Sequence, residues 1–286
     1  MILMNEIKEI KMFNEYNIIK NEIDNLIINY FPKSYFNDIL NYSIETGKRI
    51  RPILLLESYK MLNKNLENHD IAKKFAIALE FIHNYSLVHD DLPSMDNDNY
   101  RRGRKSTHYK YGEDLAILAG DALLNKSYEI IFEILELKND KSFIKAAKYL
   151  SNCAGLNGMI LGQVYDINDK FENLLELVEM YKNKTCKLIM AATVISAYIS
   201  NSNEETIRDM EELGFSIGMA FQLQDDLLDI KEDESINKVT YVSFVGEENT
   251  KIAIENYTSK AISILKKYEN NDFLIKLIQS LIERKI

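Results

Sequence analysis

Apolar side chains recur along this chain at three- and four-residue steps. Ile77, Phe81, Tyr85 and Val88 share one face of a 3.6-residue turn, and Leu175, Val178, Tyr181 and later Leu188 share another. This spacing predicts amphipathic helices, each burying one stripe. The sparse punctuation agrees: Pro32, Pro52 and Pro93 are the prolines and 10 glycines serve the whole sequence, too few breaks for the tight turns of a β fold. An all-α protein is expected, one domain over residues 1–286 with roughly ten helices of ordinary length. Polar residues cluster at 63–70, 93–112, 201–205 and 232–249, the expected loops. No solenoid-length repeat and no low-complexity linker divides the chain.

The 286 residues carry 35 Lys and Arg against 44 Asp and Glu, a formal charge of −9. That balance gives no steering toward phosphate backbones, so nucleic acid is not an expected partner. Two cysteines, Cys153 and Cys186, and four histidines exclude a disulfide scaffold and a Cys-rich zinc module, and a reducing cytoplasm is the expected compartment. Glu6, Lys8 and Glu9 interrupt the apolar stretch that a signal peptide would need. The most apolar run, Leu188 to Ile199, is too short to span a bilayer, so no transmembrane segment is expected.

Two acidic clusters turn this helical scaffold into a candidate enzyme. They read H-D-D-L-P-S-M-D at 89–96 and Q-D-D-L-L-D at 224–229. In the second, Asp225, Asp226 and Asp229 are spaced so that a helix presents their carboxylates on a common face. In the first, Pro93 is expected to end or deform the helix after Asp91, so that Asp96 returns from a loop or bulge. The bland reading of such pairs is a solvated helix terminus. Their flanks argue otherwise: Phe81, Ile82, Tyr85, Leu87 and Val88 precede one cluster, and Met219, Phe221, Leu223, Leu227 and Leu228 surround the other. Were the carboxylates to converge without cations, each close pair would repel by up to about 4 kcal/mol at 4 Å and an effective dielectric of 20.

All-oxygen ligands select hard ions, and Mg²⁺ in particular bridges a few carboxylates to substrate phosphates. Anion-binding groups are present to match, G-K-R-I-R-P at 47–52 and R-R-G-R-K at 101–105. Surface charge is the bland reading for Lys48, Arg49 and Arg51, and a solvated loop or a small nucleic-acid patch for 101–105, the latter weakened by the balancing charge of Asp90, Asp91, Asp96 and Asp98. His83 lies seven residues before Asp90, two helical turns down the same face, where a lone histidine is more often structural than catalytic. Glu80-x-x-His83 resembles half of a di-iron motif, but no other histidine has a glutamate three residues before it. H-E-x-x-H, G-x-x-x-x-G-K-[ST] and G-x-S-x-G are absent.

Taken in order, G-K-R-I-R-P, the stretch I-H-N-Y-S-L-V-H-D-D-L-P-S-M-D-N-D-N-Y-R-R-G, L-A-G-D-A-L-L, G-M-I-L-G-Q, N-K-T, F-Q-L-Q-D-D-L-L-D and K-V-T-Y resemble the motifs of short-chain trans-polyprenyl diphosphate synthases. The resemblance runs from about Gly47 to Gly246 and is nearest to the bacterial farnesyl-forming members. It implies a helical isoprenoid-synthase bundle around a central cavity, working as a homodimer. It further implies that Asp90, Asp91, Asp96, Asp225, Asp226 and Asp229 hold three Mg²⁺ ions on an allylic diphosphate, with Arg101, Lys184 and Lys238 adding positive charge. Lys48, Arg51, His83 and Arg102 would bind the diphosphate of isopentenyl diphosphate, and Thr185 and Gln222 would stabilise an allylic cation. The sequence departs from the family pattern at Lys105 and Val242, where proline is common, and at Cys186, where glycine is common. The segment after Asp229 is short, and Lys238 stands for one or both of two family lysines.

The implied reaction is condensation of isopentenyl diphosphate with dimethylallyl and geranyl diphosphates. Tyr85 and Ser86, five and four residues before Asp90, occupy the places that would floor a growing chain, Tyr85 with a ring and Ser86 with nothing large enough to obstruct. One more core aromatic is the bland reading of Tyr85. Two alternatives stand beside the farnesyl product: a geranylgeranyl or longer-chain synthase, and a non-catalytic helical subunit of a heteromeric prenyltransferase.

Overall fold

The computed structural model describes residues 2–28, 30–138 and 140–282, with the backbone alone for 2–12, 232, 234 and 235. The side chains of Glu6, Lys8 and Glu9 therefore lie outside the described residues. The all-α expectation holds: the described residues form fifteen α-helices, one π-helical turn and one pair of two-residue strands. Three of the helices beyond ten, at Thr107–Tyr111, Ile230–Ser235 and Tyr241–Val245, are short ones in or at the edge of segments whose polar composition reads as loop. Thr240, for instance, caps a turn at Tyr241–Val245 reciprocally with Ser243, inside the expected loop 232–249.

The chain forms two compact units, residues 1–53 with 70–140, and 54–69 with 141–286. The first unit contains α1 (Ile2–Ile28), α2 (Tyr35–Ile44), the start of α3 (Ile50–Leu62), α4 (His69–Asp90), strands β1 (Tyr100–Arg101) and β2 (Arg104–Lys105), α5 (Thr107–Tyr111) and α6 (Glu113–Leu137). Ser34 caps α2 by accepting the Asn37 N–H, and Ile39, Leu40 and Ile44 give α2 its buried face. α4 is buried on nearly every side, Ile77, Phe81, Tyr85 and Val88 included, as the periodicity required. Phe81 stacks on Phe31 and meets Tyr30 edge-on, each at 5.4 Å between ring centres.

The second unit contains α7 (Lys141–Ala154), α8 (Met159–Asn168), α9 (Leu174–Tyr181), the π turn (Lys182–Cys186), α10 (Lys187–Ile199), α11 (Glu204–Leu228), α12 (Ile230–Ser235), α13 (Tyr241–Val245), α14 (Glu247–Leu265) and α15 (Asp272–Ile282). The apolar run 188–199 is α10, a core helix between α7 and α11. No described helix is long and apolar enough to cross a membrane. Glycine sets the approach of α11 to α10: a Cβ on Gly214 would meet Met190 Cα at 2.5 Å. One expected stripe needs correction, because Leu175 is 80% exposed while Leu177 is fully buried. α9 starts only at Leu174, and its inward face is carried by Leu177, Met180 and Tyr181.

Candidate active site

The first acidic cluster is built at the end of α4. The helix stops at Asp90, one turn before Pro93 lacks the N–H to continue it. The chain then doubles back: Asp96 N–H donates to the Asp90 carbonyl at 2.9 Å, and Met95 and Asn97 N–H both donate to Leu92, at 2.9 and 3.1 Å. Asn97 takes a left-handed φ of 56° to make the turn. Asp96 thus returns beside Asp90, as the proline position led us to expect. Asp90 is half-buried and Asp96 exposed. Asp91 is buried, and Arg101 Nε and Nη2 both lie 2.6 Å from its Oδ1. Burial pushes the Asp91 carboxyl up from its ordinary range, against the opposing pull of Arg101.

Arg101 is brought there by a hairpin hidden in the expected loop 93–112. Tyr100 pairs with Lys105 and Arg101 with Arg104, and the two residues between them, Arg102 and Gly103, both have positive φ, 52° and 74°. This is the two-residue loop that matches strand twist. Arg102 Nη1 donates to the Thr46 carbonyl in the segment leading into G-K-R. A polar cavity of this unit is lined by Thr46, Asn84, Asp91, Arg101 and Arg102, among others.

The G-K-R-I-R-P segment divides into different tasks. Lys48 is exposed, in keeping with the surface reading. Arg49 corrects it: 2% exposed, it binds Asp24 Oδ1 at 2.7 Å and Glu80 Oε1 at 2.8 Å and also donates to the Ile44 carbonyl. Glu80 is therefore the partner of a buried cation, which gives a physical account of the half-motif it forms with His83. Arg51 Nη1 lies 3.2 Å from His83 Nε2. Since a guanidinium only donates, Nε2 accepts and the ring proton sits on Nδ1. Burial first, then the charges of Arg51, Arg102, Arg101 and Arg49, hold His83 well below the usual imidazole range. Tyr85 is 6% exposed and meets His89 edge-on at 5.8 Å, with its hydroxyl pushed up to about 12 mainly by burial. Ser86 Oγ donates to the His83 carbonyl.

In the second unit the acidic cluster closes α11, and Asp229 is the C-cap whose N–H donates to the Asp225 carbonyl at 3.0 Å. Asp225 is half-buried and Asp229 exposed. Asp226 is 4% exposed, accepting Gln222 Nε2 at 3.1 Å on one oxygen and, on the other, Tyr181 Oη at 2.6 Å and the Tyr241 N–H at 3.0 Å. Burial pushes its carboxyl up, and these donors oppose the rise.

Lys184 and Thr185 ride on the π turn, the single-turn bulge that recurs at functional sites. A Cβ on Gly162 would meet Lys184 N at 2.2 Å, and one on Gly218 would meet Cys186 Sγ at 2.7 Å. The two bare glycines let α8 and α11 close on the turn, and Gly218 explains how a cysteine fits at 186. Lys184 Nζ pairs with Asp166, Thr185 Oγ1 donates to Gln222 Oε1 at 2.7 Å, and Lys238 Nζ lies 3.8 Å from Asp233. Sequence reasoning missed Asp24, Asp166 and Tyr181. A lone carboxylate in the otherwise uncharged G-M-I-L-G-Q-V-Y-D stretch was the available signal for Asp166.

Among the described residues, no three acidic, histidine or cysteine side chains already form a metal cage. The donor set still fits Mg²⁺, which takes a few carboxylate oxygens and completes its shell with water and phosphate.

Residues 33–281 match the family model described as polyprenyl synthetase. The chain is 38% identical over 277 residues to the farnesyl diphosphate synthase of Micrococcus luteus, covering 91% of this chain and 94% of that one. Among solved structures it is similar to an FPP/GFPP synthase from Zymomonas mobilis, at 26% identity and a TM-score of 0.88, over 96% of this chain and 99% of that one. A geranyltransferase from Helicobacter pylori complexed with magnesium and isoprenyl diphosphate gives 28% identity and a TM-score of 0.83, over 96% and 98%. The chain belongs to the polyprenyl synthetase family. That family is Mg²⁺-dependent and acts in isoprenoid biosynthesis.

Proposed function

We propose that the chain condenses isopentenyl diphosphate head to tail with dimethylallyl and then geranyl diphosphate, releasing farnesyl diphosphate. The observation that carries this reading is a pair of acidic helix ends, each with one buried carboxylate fixed in place, accompanied by the R-R-G hairpin. Asp90, Asp91, Asp96, Asp225, Asp226 and Asp229 would hold Mg²⁺, three ions in all. When bound, the metal neutralises carboxylate and diphosphate charge together. Arg101, Lys184 and Lys238 add positive charge for the allylic diphosphate, favouring its departure as an anion.

Lys48, Arg51, His83 and Arg102 bind the diphosphate of isopentenyl diphosphate. Before the diphosphate binds, burial and the neighbouring arginines hold His83 well below the usual imidazole range, so the arginines supply the charge and His83 orients. The double bond of isopentenyl diphosphate attacks the allylic cation, and the released diphosphate removes the final proton. The hydroxyl proton of Thr185 is engaged by Gln222, leaving lone pairs on both side-chain oxygens as dipoles for the cation. Tyr85 forms the floor for the C15 chain, with Ser86 leaving room beside it. The domain is one synthase unit spanning the chain, acting as a cytoplasmic homodimer.

Incubation of the purified chain with isopentenyl and dimethylallyl diphosphates and Mg²⁺ tests the reading, with elongation to C15 expected. No elongation overturns it and favours a non-catalytic subunit. C20 or longer products from the parent favour the longer-chain synthase. Tyr85→Ala should lengthen the product to C20 or beyond, and identical product lengths would remove Tyr85 from the floor.

A further inference from the structure

Asp226 joins three separate stretches of the second unit. Gln222 comes from its own helix α11, Tyr181 from the last residue of α9 before the π turn, and Tyr241 N–H from the first residue of α13. The Tyr241 N–H is shared, 3.0 Å from Asp226 Oδ2 and 3.3 Å from Tyr181 Oη. The first N–H groups of a helix have no partner within it, and here one is satisfied by a carboxylate 15 residues earlier in the chain. A second chain of bonds leads to the same point: Thr185 donates to Gln222, and Gln222 donates to Asp226.

What this arrangement fastens is the segment 230–240. One end leaves α11 at Asp229, and within the segment Lys238 N–H donates to the Asp233 carbonyl at 3.0 Å. The other end is Tyr241. Lys238 lies three residues from the fastened N–H, so its reach is set by that anchor.

We propose that Tyr181 is a positioning residue, its hydroxyl and the Asp226 carboxylate forming a latch that docks the Lys238-bearing segment on α11 before metal or diphosphate arrives. The Tyr181 ring belongs to the core with Leu177, Met180, Cys186 and Met190, so the hydroxyl can be removed while its packing is kept. The consequence for turnover rests on the proposed role of Lys238 at the allylic diphosphate; the latch itself does not.

Tyr181→Phe tests both. In metal-free protein, amide exchange over 236–245 should accelerate about tenfold, the effect of one lost hydrogen bond to a charged acceptor. Tyr149→Phe is the control, because Tyr149 also donates to a carboxylate of this unit, Glu211 at 2.9 Å, and it should leave 236–245 unchanged. In the assay, Tyr181→Phe should raise KM for the allylic diphosphate several-fold and leave KM for isopentenyl diphosphate at the parent value. Unchanged exchange over 236–245, or equal acceleration in Tyr149→Phe, overturns the latch. Accelerated exchange with both KM values unchanged keeps the latch and removes Lys238 from the allylic diphosphate. A parent without prenyltransferase activity defeats the functional reading and leaves the exchange experiment decisive for the latch.

Discussion

Asp91 and Asp226 occupy matching places, the second aspartate of D-D-L in each motif, and both are buried, yet the protein holds them by opposite means. Asp91 is met by a guanidinium, so the Asp91–Arg101 pair is neutral as a whole. Asp226 is met by a phenol, an amide and a backbone N–H, all uncharged. Dipoles orient a carboxylate but leave its charge in place. The Arg101 guanidinium therefore offsets the charge of Asp91, whereas the groups bonded to Asp226 orient it without offsetting its charge. Each region also ties its cations locally, Arg49 to Asp24 and Glu80 in one and Lys184 to Asp166 in the other.

Removal of a carboxylate from either motif breaks this comparison most severely. Asp90→Ala and Asp225→Ala should each lower turnover by about 10²-fold or more, as expected for groups acting on the transition state, with circular dichroism unchanged. Near-normal turnover in either variant removes that residue from the proposed metal site.

Stability separates the two ways of holding a buried acid. Arg101→Ala strands a buried charge and should cost about 2 kcal/mol, below the usual figure for buried pairs because Arg101 is partly exposed. Tyr181→Phe leaves two donors on Asp226 and should cost about 1.5 kcal/mol. Urea unfolding at neutral pH with a chelator measures both. Equal losses would mean that the guanidinium contributes no more than a dipole.

The smallest effect concerns the surplus of guanidiniums in the first unit, read through His83. Its folded-state pKa lies below 6.5, so between those values the unfolded chain binds more protons and stability falls as pH drops below 6.5. From pH 7.5 to 5.5 this group should cost the parent up to about 1.4 kcal/mol. His83→Gln should flatten that part of the profile of urea midpoint against pH. An unchanged slope would show that burial and the neighbouring arginines do not hold the histidine below its ordinary range.

What was legible in the sequence follows from the range of the interactions. The stripe through Ile77 and Val88, the proline-forced return of Asp96 and the acidic helix ends are local patterns of side chain and spacing. Tyr181 was legible only as a core residue, because its ring does pack in the core while the partner of its hydroxyl lies 45 residues away. Arg49 looked like its neighbours Lys48 and Arg51, since the carboxylates that bury it come from α1 and α4, 25 and 31 residues distant. The single turns at 107–111 and 241–245 are too short to show a period.

The π turn between α9 and α10 also changes the phase of the chain. One extra residue in a helical turn advances the azimuth of everything after it by about 100°. Leu177 and Leu188, eleven residues apart, would share a face on a single uninterrupted α-helical rod; the π turn takes them off that common face, and both are still fully or almost fully buried. Deleting one residue from 182–186 would restore a continuous rod from Leu174 to Ile199 and swing α10 out of step with α7 and α11. The strip bearing Lys184 and Thr185 is thus also the angular offset that lets two consecutive helices each face their own neighbours.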